Sequence, residues 1–361
     1  MSTDAPDAVT TEPTTPTPKS AAATPAPAAP ATPAAAPAWQ LETANGSLKP
    51  RSALDVLVDL NDKVTTGQVS EYQPVPLGFT PLDKTIGNGL RAGELLLIGG
   101  AQGTGKTTMA LQMARNVASG GQANVLYICF EHDEQYLLNR LIAMESALAH
   151  LPHKTGAIKI QDVRKEILGT WMAEGEASAQ MANNPRLRPS MDRIARYGQN
   201  LFMMRGSQTA STIENIRKLV QAHRVMSGDR RLVVMVDYLQ KVHAKAESRE
   251  REIAVISSQL KSLAKELDVP VMCLAQLNRR PEGREGNQPQ LSDLRESGAI
   301  EQDADVVMLL FREDYYDRES PNKNTCDIIV AKNRTGPTDT VKLAFIKEYT
   351  RFENLAAQPQ G

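Results

Sequence analysis

From Glu94 onward the chain alternates short, strongly apolar runs with longer stretches in which apolar residues recur every three or four positions. The apolar runs are Glu94–Gly100, Ala123–Glu131, Asn200–Arg205, Leu232–Asp237 and Pro270–Asn278. Runs of this kind read as strands buried on both faces. Between them the period changes to that of a helix: Ile253, Ile256, Leu260, Leu263 and Leu267 share one face of the segment 249–268, and 107–118 reads the same way. Strands alternating with helices predict an α/β fold, a mostly parallel central sheet with helices on both faces. After residue 305 the helical period stops. Asp305–Arg312, Cys326–Arg334 and Thr340–Ile346 read as strands joined by turns, so the sheet should end in antiparallel strands toward the C-terminus. Residues 149–199 are helical by composition but show no clear core face, and read as a surface insertion.

The N-terminal part differs in kind. Residues 1–38 hold 9 of the 22 prolines, 13 alanines and 8 threonines. Proline every few residues forbids a continuous helix, and without large apolar side chains nothing offsets chain entropy, so 1–46 is expected to be a disordered tail. Residues 47–76 read as a linker with one short helix over 52–63, whose apolar positions are Leu54, Leu57, Val58 and Leu60. A satellite helix packing on its own domain fits that pattern equally well.

Composition narrows the class. A formal net charge of -1 gives no global basic field, so any nucleic-acid site must be local. The three cysteines, Cys129, Cys273 and Cys326, are odd in number and far apart, which excludes a disulfide framework or a zinc knuckle. With no secretory signal and no long apolar stretch, a reduced, cytoplasmic protein with no membrane segment is expected.

The strongest chemical signal is Gly100-Ala-Gln-Gly-Thr-Gly-Lys-Thr107, a full GxxxxGK[ST] run between an apolar strand and a helical stretch. Its glycines let backbone N–H groups curl around a phosphate chain, and the helix N-terminus adds its dipole. Lys106 would neutralise the outer phosphates and the Thr107 hydroxyl would ligate Mg²⁺. Such a site needs a carboxylate at a neighbouring strand end. Asp237 closes a wholly apolar run and fits that need, although a strand-end Asp also caps turns. Glu131 ends another run, where it could serve as general base; Glu131-His-Asp-Glu134 reads equally as a solvated turn or an N-cap. Lys332 and Arg334 fall on one side of a late strand. They are candidates for stabilising charge at a γ-phosphate, or simply protect a sheet edge.

From about Leu77 to Phe352, about three quarters of the chain, the sequence resembles the C-terminal RecA-like motor domain of the DnaB-type replicative helicases. The resemblance rests on Leu77-Gly-Phe-Thr-Pro-Leu-Asp83, the glycine-rich run, Asp237-Tyr-Leu-Gln240, Leu260-Lys-Ser-Leu-Ala-Lys-Glu-Leu267 and Ala275-Gln-Leu-Asn-Arg279. It also rests on Lys332-Asn-Arg-Thr-Gly-Pro337 and, most specifically, on the block from Asp293 to Asp305.

That resemblance implies a RecA-like P-loop NTPase over 77–354, followed by a short tail, 355–361. It implies ATP and Mg²⁺ as cofactors, with Gly100, Gly103, Thr104, Gly105, Lys106, Thr107 and Thr108 holding the nucleotide and Thr107 and Asp237 the metal. Glu131 becomes the water-activating carboxylate, Gln276 a γ-phosphate sensor, and Lys332 and Arg334 the pair inserted into a neighbouring subunit's site. Arg295, Glu296 and Gly298 match the channel loop that grips single-stranded DNA. Between Arg279 and Glu296 four arginines face four acidic residues and no aromatic residue occurs, so the expected mode is tracking of the phosphate backbone without sequence preference. The implied working unit is a homo-oligomer, a hexameric ring. Segment 52–63 resembles the linker helix that docks on the next subunit.

The family's helical N-terminal domain is expected to be replaced here by the Pro/Ala tail, which bears on the primase contact and on replication or loader partners. The expected activity is an ATP-dependent DNA helicase or translocase of 5′ to 3′ polarity, acting in replication or a related transaction. The alternative is a non-unwinding, DNA-dependent ATPase of the same fold, a recombination or repair accessory or a nucleotide-switched assembly protein.

Overall fold

A computed structural model of the protein describes residues 41–43, 46–48, 50–69, 72–151, 153, 155–172, 183–207, 211–277 and 285–355. Most of the expected N-terminal tail and the final residues 356–361 lie outside these.

The chain divides after Asp62 into two units. In the first, β1 (Leu41–Thr43) and β2 (Gly46–Leu48) pair antiparallel, where the sequence pattern announced no strand. The expected short helix follows as α1 (Ala53–Thr65), whose last turn runs into the second unit. Its start is a capping box: the Asp55 N–H donates to Ser52 Oγ at 3.1 Å, and the Ser52 N–H donates to the Asp55 carboxylate at 3.1 Å.

The next helix of the second unit is α2 (Thr80–Thr85), whose approach is held by one side chain. The Asp83 carboxylate accepts the N–H groups of Leu77, Gly78 and Phe79 at 2.7, 2.9 and 3.1 Å, which is why an acid stands in an apolar stretch. Then follow β3 (Leu95–Gly100), α3 (Lys106–Ser119), β4 (Ala123–Cys129), α4 (Glu134–Ala149), α5 (Ile160–Met172), α6 (Arg188–Ala195), β5 (Leu201–Arg205) and α7 (Ile213–Met226). After these come β6 (Arg231–Asp237), α8 (Arg249–Glu266), β7 (Val271–Gln276), α9 (Gly298–Asp303), β8 (Val306–Phe311), α10 (Glu313–Tyr316), β9 (Thr325–Asn333), β10 (Thr340–Ile346) and β11 (Arg351–Asn354).

Nine strands form one sheet in the order β11-β10-β9-β8-β3-β7-β6-β4-β5. The six from β8 to β5 run parallel, and β9, β10 and β11 are antiparallel, as the sequence pattern predicts. Strands β3, β4 and β8 are buried at every position, so their alternate side chains feed two cores. One core packs Leu96, Ile98, Tyr127 and Met235 with Met109 and Met113 of α3; the other packs Leu95, Leu97, Ile128 and Val236 with Ile256 and Leu260 of α8. The helices are held by these two faces rather than by their own propensity.

Three expectations change. The run to Glu131 is strand only as far as Cys129, because Phe130 and Glu131 turn away at the strand's end. The C-terminal part contains a short helix, α10, and an additional strand, β11. That strand is too short to show a period; it is held by Gln112 of α3, whose amide exchanges two 2.7 Å hydrogen bonds with the Phe352 backbone. Finally, the described part of 149–199 is more than a surface insertion. Ile158, Val163 and Leu187 build a small third core on Ile142 and Ala143, so α4 is packed on both flanks. Among the described residues, no helix is long and apolar enough to cross a membrane, and all three cysteines are buried free thiols.

Candidate functional site

The parallel strands place their C-terminal ends side by side. The register pairs Gly100 with Gln276 and Cys129 with Asp237, so the loop after β3, the last residues of β6 and β7, and the turn after β4 open on one crevice. A cavity of about 410 Å³ lies there, lined by Gln102, Gly103, Gly105, Lys106, Thr107, Thr108, Glu131, Asp237 and Gln276.

The loop between β3 and α3 takes its shape from two glycines. Gly103 and Gly105 have φ of 81° and 104°, in the region that disfavours any side chain. A Cβ on Gly105 would also stand 3.1 Å from the Phe352 ring. Thr104 is buried, its hydroxyl donating to the Ala101 carbonyl at 2.8 Å. Lys106 begins α3 and folds back over the loop, donating to the Gly100 and Ala101 carbonyls at 2.9 Å each. Its ammonium is therefore held at the mouth of a cradle whose N–H groups head a fourteen-residue helix.

Asp237 is 1% exposed. Its carboxylate accepts the Tyr127 hydroxyl at 2.9 Å and the Thr107 hydroxyl. Burial pushes its carboxyl up to about 6, against the pull of those hydroxyls, and the neighbouring Glu131 adds to the rise. Burial likewise brings Lys106 down to about 8, although Asp237 and Glu131 attract its charge. One half-buried cation and two carboxylates thus share a small volume at a cost that a charged ligand would offset. Thr107 and Asp237, linked by a hydrogen bond, are the groups able to hold a hard divalent cation beside that ligand. Among the described residues no cluster of three or more His, Cys, Asp or Glu could hold a metal by itself, so such an ion would complete its shell with ligand oxygens and water.

Glu131 is half-exposed and faces this cavity from the turn after β4. Gln276 is locked at the end of β7 by a reciprocal pair: its N–H donates to Gln240 Oε1 at 3.1 Å, and Gln240 Nε2 donates to its carbonyl at 3.0 Å. The side chain of Gln240 thereby ties the Asp237-Tyr-Leu-Gln240 motif to the neighbouring strand end, a role the sequence reading did not assign.

Other lining residues were also missed. Arg140 of α4 donates to the Thr108 hydroxyl at 3.1 Å and stacks over the Tyr136 ring at 4.5 Å. Arg312 chelates Asp314 at 2.9 and 3.0 Å and lies 4.6 Å over the Phe345 ring. Arg140 had a signal, a cation in a helix otherwise buried on most sides; Arg312 had none, because its place depends on the fold of β8 to β10.

Lys332 and Arg334 do not reach the cavity. Lys332 caps the end of α9, donating to the Glu301 carbonyl and, at 3.3 Å, to that of Gln302. Arg334 donates to Asp305 Oδ1 at 3.2 Å and to the Gln302 carbonyl at 3.1 Å. Arg295 and Glu296 lie in a 3₁₀ segment, Leu291–Ser297, and Gly298 begins α9. Leu294 anchors that segment in the core, and the Asp293 carboxylate accepts the Gln290 N–H at 2.8 Å. The side chains of 295–299, and Arg279 entirely, lie outside the described residues.

The arrangement has close counterparts. Residues 74–354 match the family described as DnaB-like helicase C terminal domain. The chain is 35% identical to the replicative DNA helicase DnaB of Geobacillus stearothermophilus over 83% of its length and 61% of that protein. It is 34% identical to the replicative DNA helicase DnaC of Bacillus subtilis over the same shares. It therefore spans about three fifths of the length of these relatives. A solved structure described as an ATPase domain superposes with a TM-score of 0.70 at 34% identity, covering 85% of this chain and 100% of that one. A DnaB-like replicative helicase, solved in a study of its interactions with primase, gives a TM-score of 0.67 at 34% identity, covering 86% and 68%. With the glycine-rich loop, Asp237 at the end of β6, Glu131 in the turn after β4 and the glutamine of β7 assembled as described, and with this match over most of its length, the chain belongs to the family of DnaB-like helicase C-terminal domains.

Proposed function

We propose that the protein is an ATP-dependent DNA helicase or translocase motor, hydrolysing ATP with Mg²⁺ and acting on single-stranded DNA through the channel of a homo-oligomeric, hexameric ring. The observation that carries this reading is the convergence of Lys106, Thr107, Asp237, Glu131 and Gln276, from four strand ends, on one cavity in a chain of this family. Residues 77–354 form the motor in this reading, 47–76 a linker carrying α1, and 1–46 and 355–361 tails.

Each side chain then has a task. The backbone from Gly100 to Thr108 cradles the phosphates, and Lys106 leaves the Gly100 and Ala101 carbonyls to pair with the outer ones. Thr107 and Asp237 would hold Mg²⁺, which supplies charge neutralisation at the phosphates. Glu131 takes a proton from the water whose oxygen bonds to the γ-phosphorus as the bond to the β,γ-bridging oxygen breaks, giving ADP and phosphate. Gln276, held through its backbone by Gln240, is placed to report the γ-phosphate to the loop that follows β7. Lys332 and Arg334, out of reach of their own cavity, suit insertion into a neighbour's site. Arg295, Glu296 and Gly298 are assigned to the DNA channel. A replication or loader protein is the expected further partner.

The test is ATP turnover with and without single-stranded DNA, with the mass of the ATP-bound assembly recorded in the same buffer. DNA should stimulate turnover by a ring-sized species, and Arg295→Ala should remove most of that stimulation while sparing the basal rate. DNA-indifferent turnover by a monomer would overturn the reading. Normal turnover without displacement of a forked duplex would leave a translocating or accessory ATPase.

The pH profile follows from the two perturbed groups. Because its pKa is raised, Asp237 is protonated as pH falls through about 6, and because its pKa is lowered, Lys106 loses its proton as pH rises through about 8. The value of kcat/KM for ATP, which reports the free protein, should therefore fall on both sides of that window.

A further inference from the structure

We propose that Tyr127 is a positioning residue for Asp237, coupling nucleotide binding to the divalent cation at the site whose nucleotide-binding role is proposed above, a reading on which this inference rests. Tyr127 lies in the middle of β4, a strand buried along its whole length, and is itself 0% exposed. Pleat alternation puts Val125, Tyr127 and Cys129 on the α3 side of the sheet. Register with β6 sets Tyr127 opposite Met235 and Cys129 opposite Asp237, which makes Tyr127 a diagonal neighbour of the acid, within reach of a long aromatic side chain. Its hydroxyl meets Asp237 Oδ2 at 2.9 Å.

Packing alone does not call for that hydroxyl. The ring fills an apolar layer that phenylalanine would fill equally, and a buried hydroxyl is costly unless it has a partner. An ionised carboxylate accepts and cannot donate, so Tyr127 is the donor and one oxygen of Asp237 is committed to it. The Cys129 thiol, 3.9 Å from the same oxygen, is too weak a donor to replace it. Thr107 bonds the same carboxylate from the first turn of α3. Held by a strand on one side and by the start of α3 on the other, Asp237 is pre-set in one orientation. Groups that fix a ligating carboxylate in this way govern metal affinity without touching the metal.

The experiment measures binding rather than turnover. Affinity of the full chain for a fluorescent ribose-labelled ADP is taken in excess Mg²⁺ and in EDTA, for wild type, Tyr127→Phe, Asp237→Asn and the double variant. Tyr127→Phe should lower the Mg²⁺-dependent gain in affinity about tenfold and leave affinity in EDTA within about twofold of wild type. In the Asp237→Asn background the same change should have no further effect, since the two act through one contact. An undiminished Mg²⁺ gain in Tyr127→Phe, or an equal loss in Mg²⁺ and in EDTA, overturns the positioning role alone. Absence of Mg²⁺-dependent nucleotide binding in wild type overturns the site reading together with this inference.

Discussion

Replacing Glu131 by Gln should leave ATP binding unchanged and lower turnover by about 10²- to 10⁴-fold, the range in which a positioned general base contributes. The substitution keeps the size and most of the polarity of a side chain that is half-exposed at the cavity and has no core to disturb. It removes the one property the proposed chemistry needs there, the capacity to accept a proton. His132 stands 4.0 Å from the carboxylate and is too poorly placed to replace it, since its ring is stacked on Tyr136 at 3.7 Å. Steady-state turnover and equilibrium binding of a labelled nucleotide check the two halves separately. Turnover within about threefold of wild type would remove Glu131 from the reaction; loss of binding as well would make it part of the nucleotide cradle.

The largest effect on stability is expected at Glu145. This residue of α4 has a side chain 0% exposed and joins three helices. Arg115 of α3 reaches its two oxygens at 2.5 and 3.2 Å, and Arg193 of α6 reaches one of them at 2.7 Å. Burial opposes ionisation of the carboxyl, but the two guanidinium groups outweigh it and hold the carboxyl below its ordinary range. Glu145→Ala would strand two cations, one of them with a side chain only 14% exposed, and should cost about 3–5 kcal/mol. For a domain of this size that corresponds to a fall in Tm of roughly 6–10 °C. Glu145→Gln, which keeps one acceptor, should cost less.

The sign of the pH dependence is fixed by the depressed pKa. The Glu145 contribution is complete above its ordinary value of 4.5 and is lost as pH falls through the lower folded value, so wild type and variant should converge in acid. Thermal unfolding at neutral and acid pH would check both parts. A Glu145→Ala protein with unchanged Tm would mean that α3, α4 and α6 are held by their apolar contacts alone.

These two predictions differ in how far they could be seen from the residues alone. Glu131 was visible as a candidate because it closes an apolar run, although the same residues read equally as a solvated turn or an N-cap. Glu145 was invisible. Within α4 it is one acid in a mixed sequence, and its partners come from positions 30 residues before it and 48 after it. The same holds for 149–199, where apolar residues are too sparse to define a face until α4 supplies the other half of the core.

The sequence by itself determined the central strands and helices and the shape of the glycine-rich loop, though not the short strands β1, β2 and β11. Short unbroken apolar runs bounded by turn residues read as strands covered on both sides, helical period needs only neighbouring residues, and a glycine-rich turn ending in Lys106-Thr107 has its shape imposed by glycines that tolerate positive φ. Only the tertiary structure decided the order of the sheet. That order is what brings Gln276 beside Gly100 and Asp237 beside Cys129, lets Gln240 lock the end of β7, and sends Lys332 and Arg334 away from the cavity to α9 and Asp305. The physical reason is range. Propensity, capping and turn chemistry act between residues a few positions apart, whereas strand pairing, burial of charge and hydrogen bonds such as Tyr127 to Asp237 act across 110 residues and exist only once the chain has closed on itself.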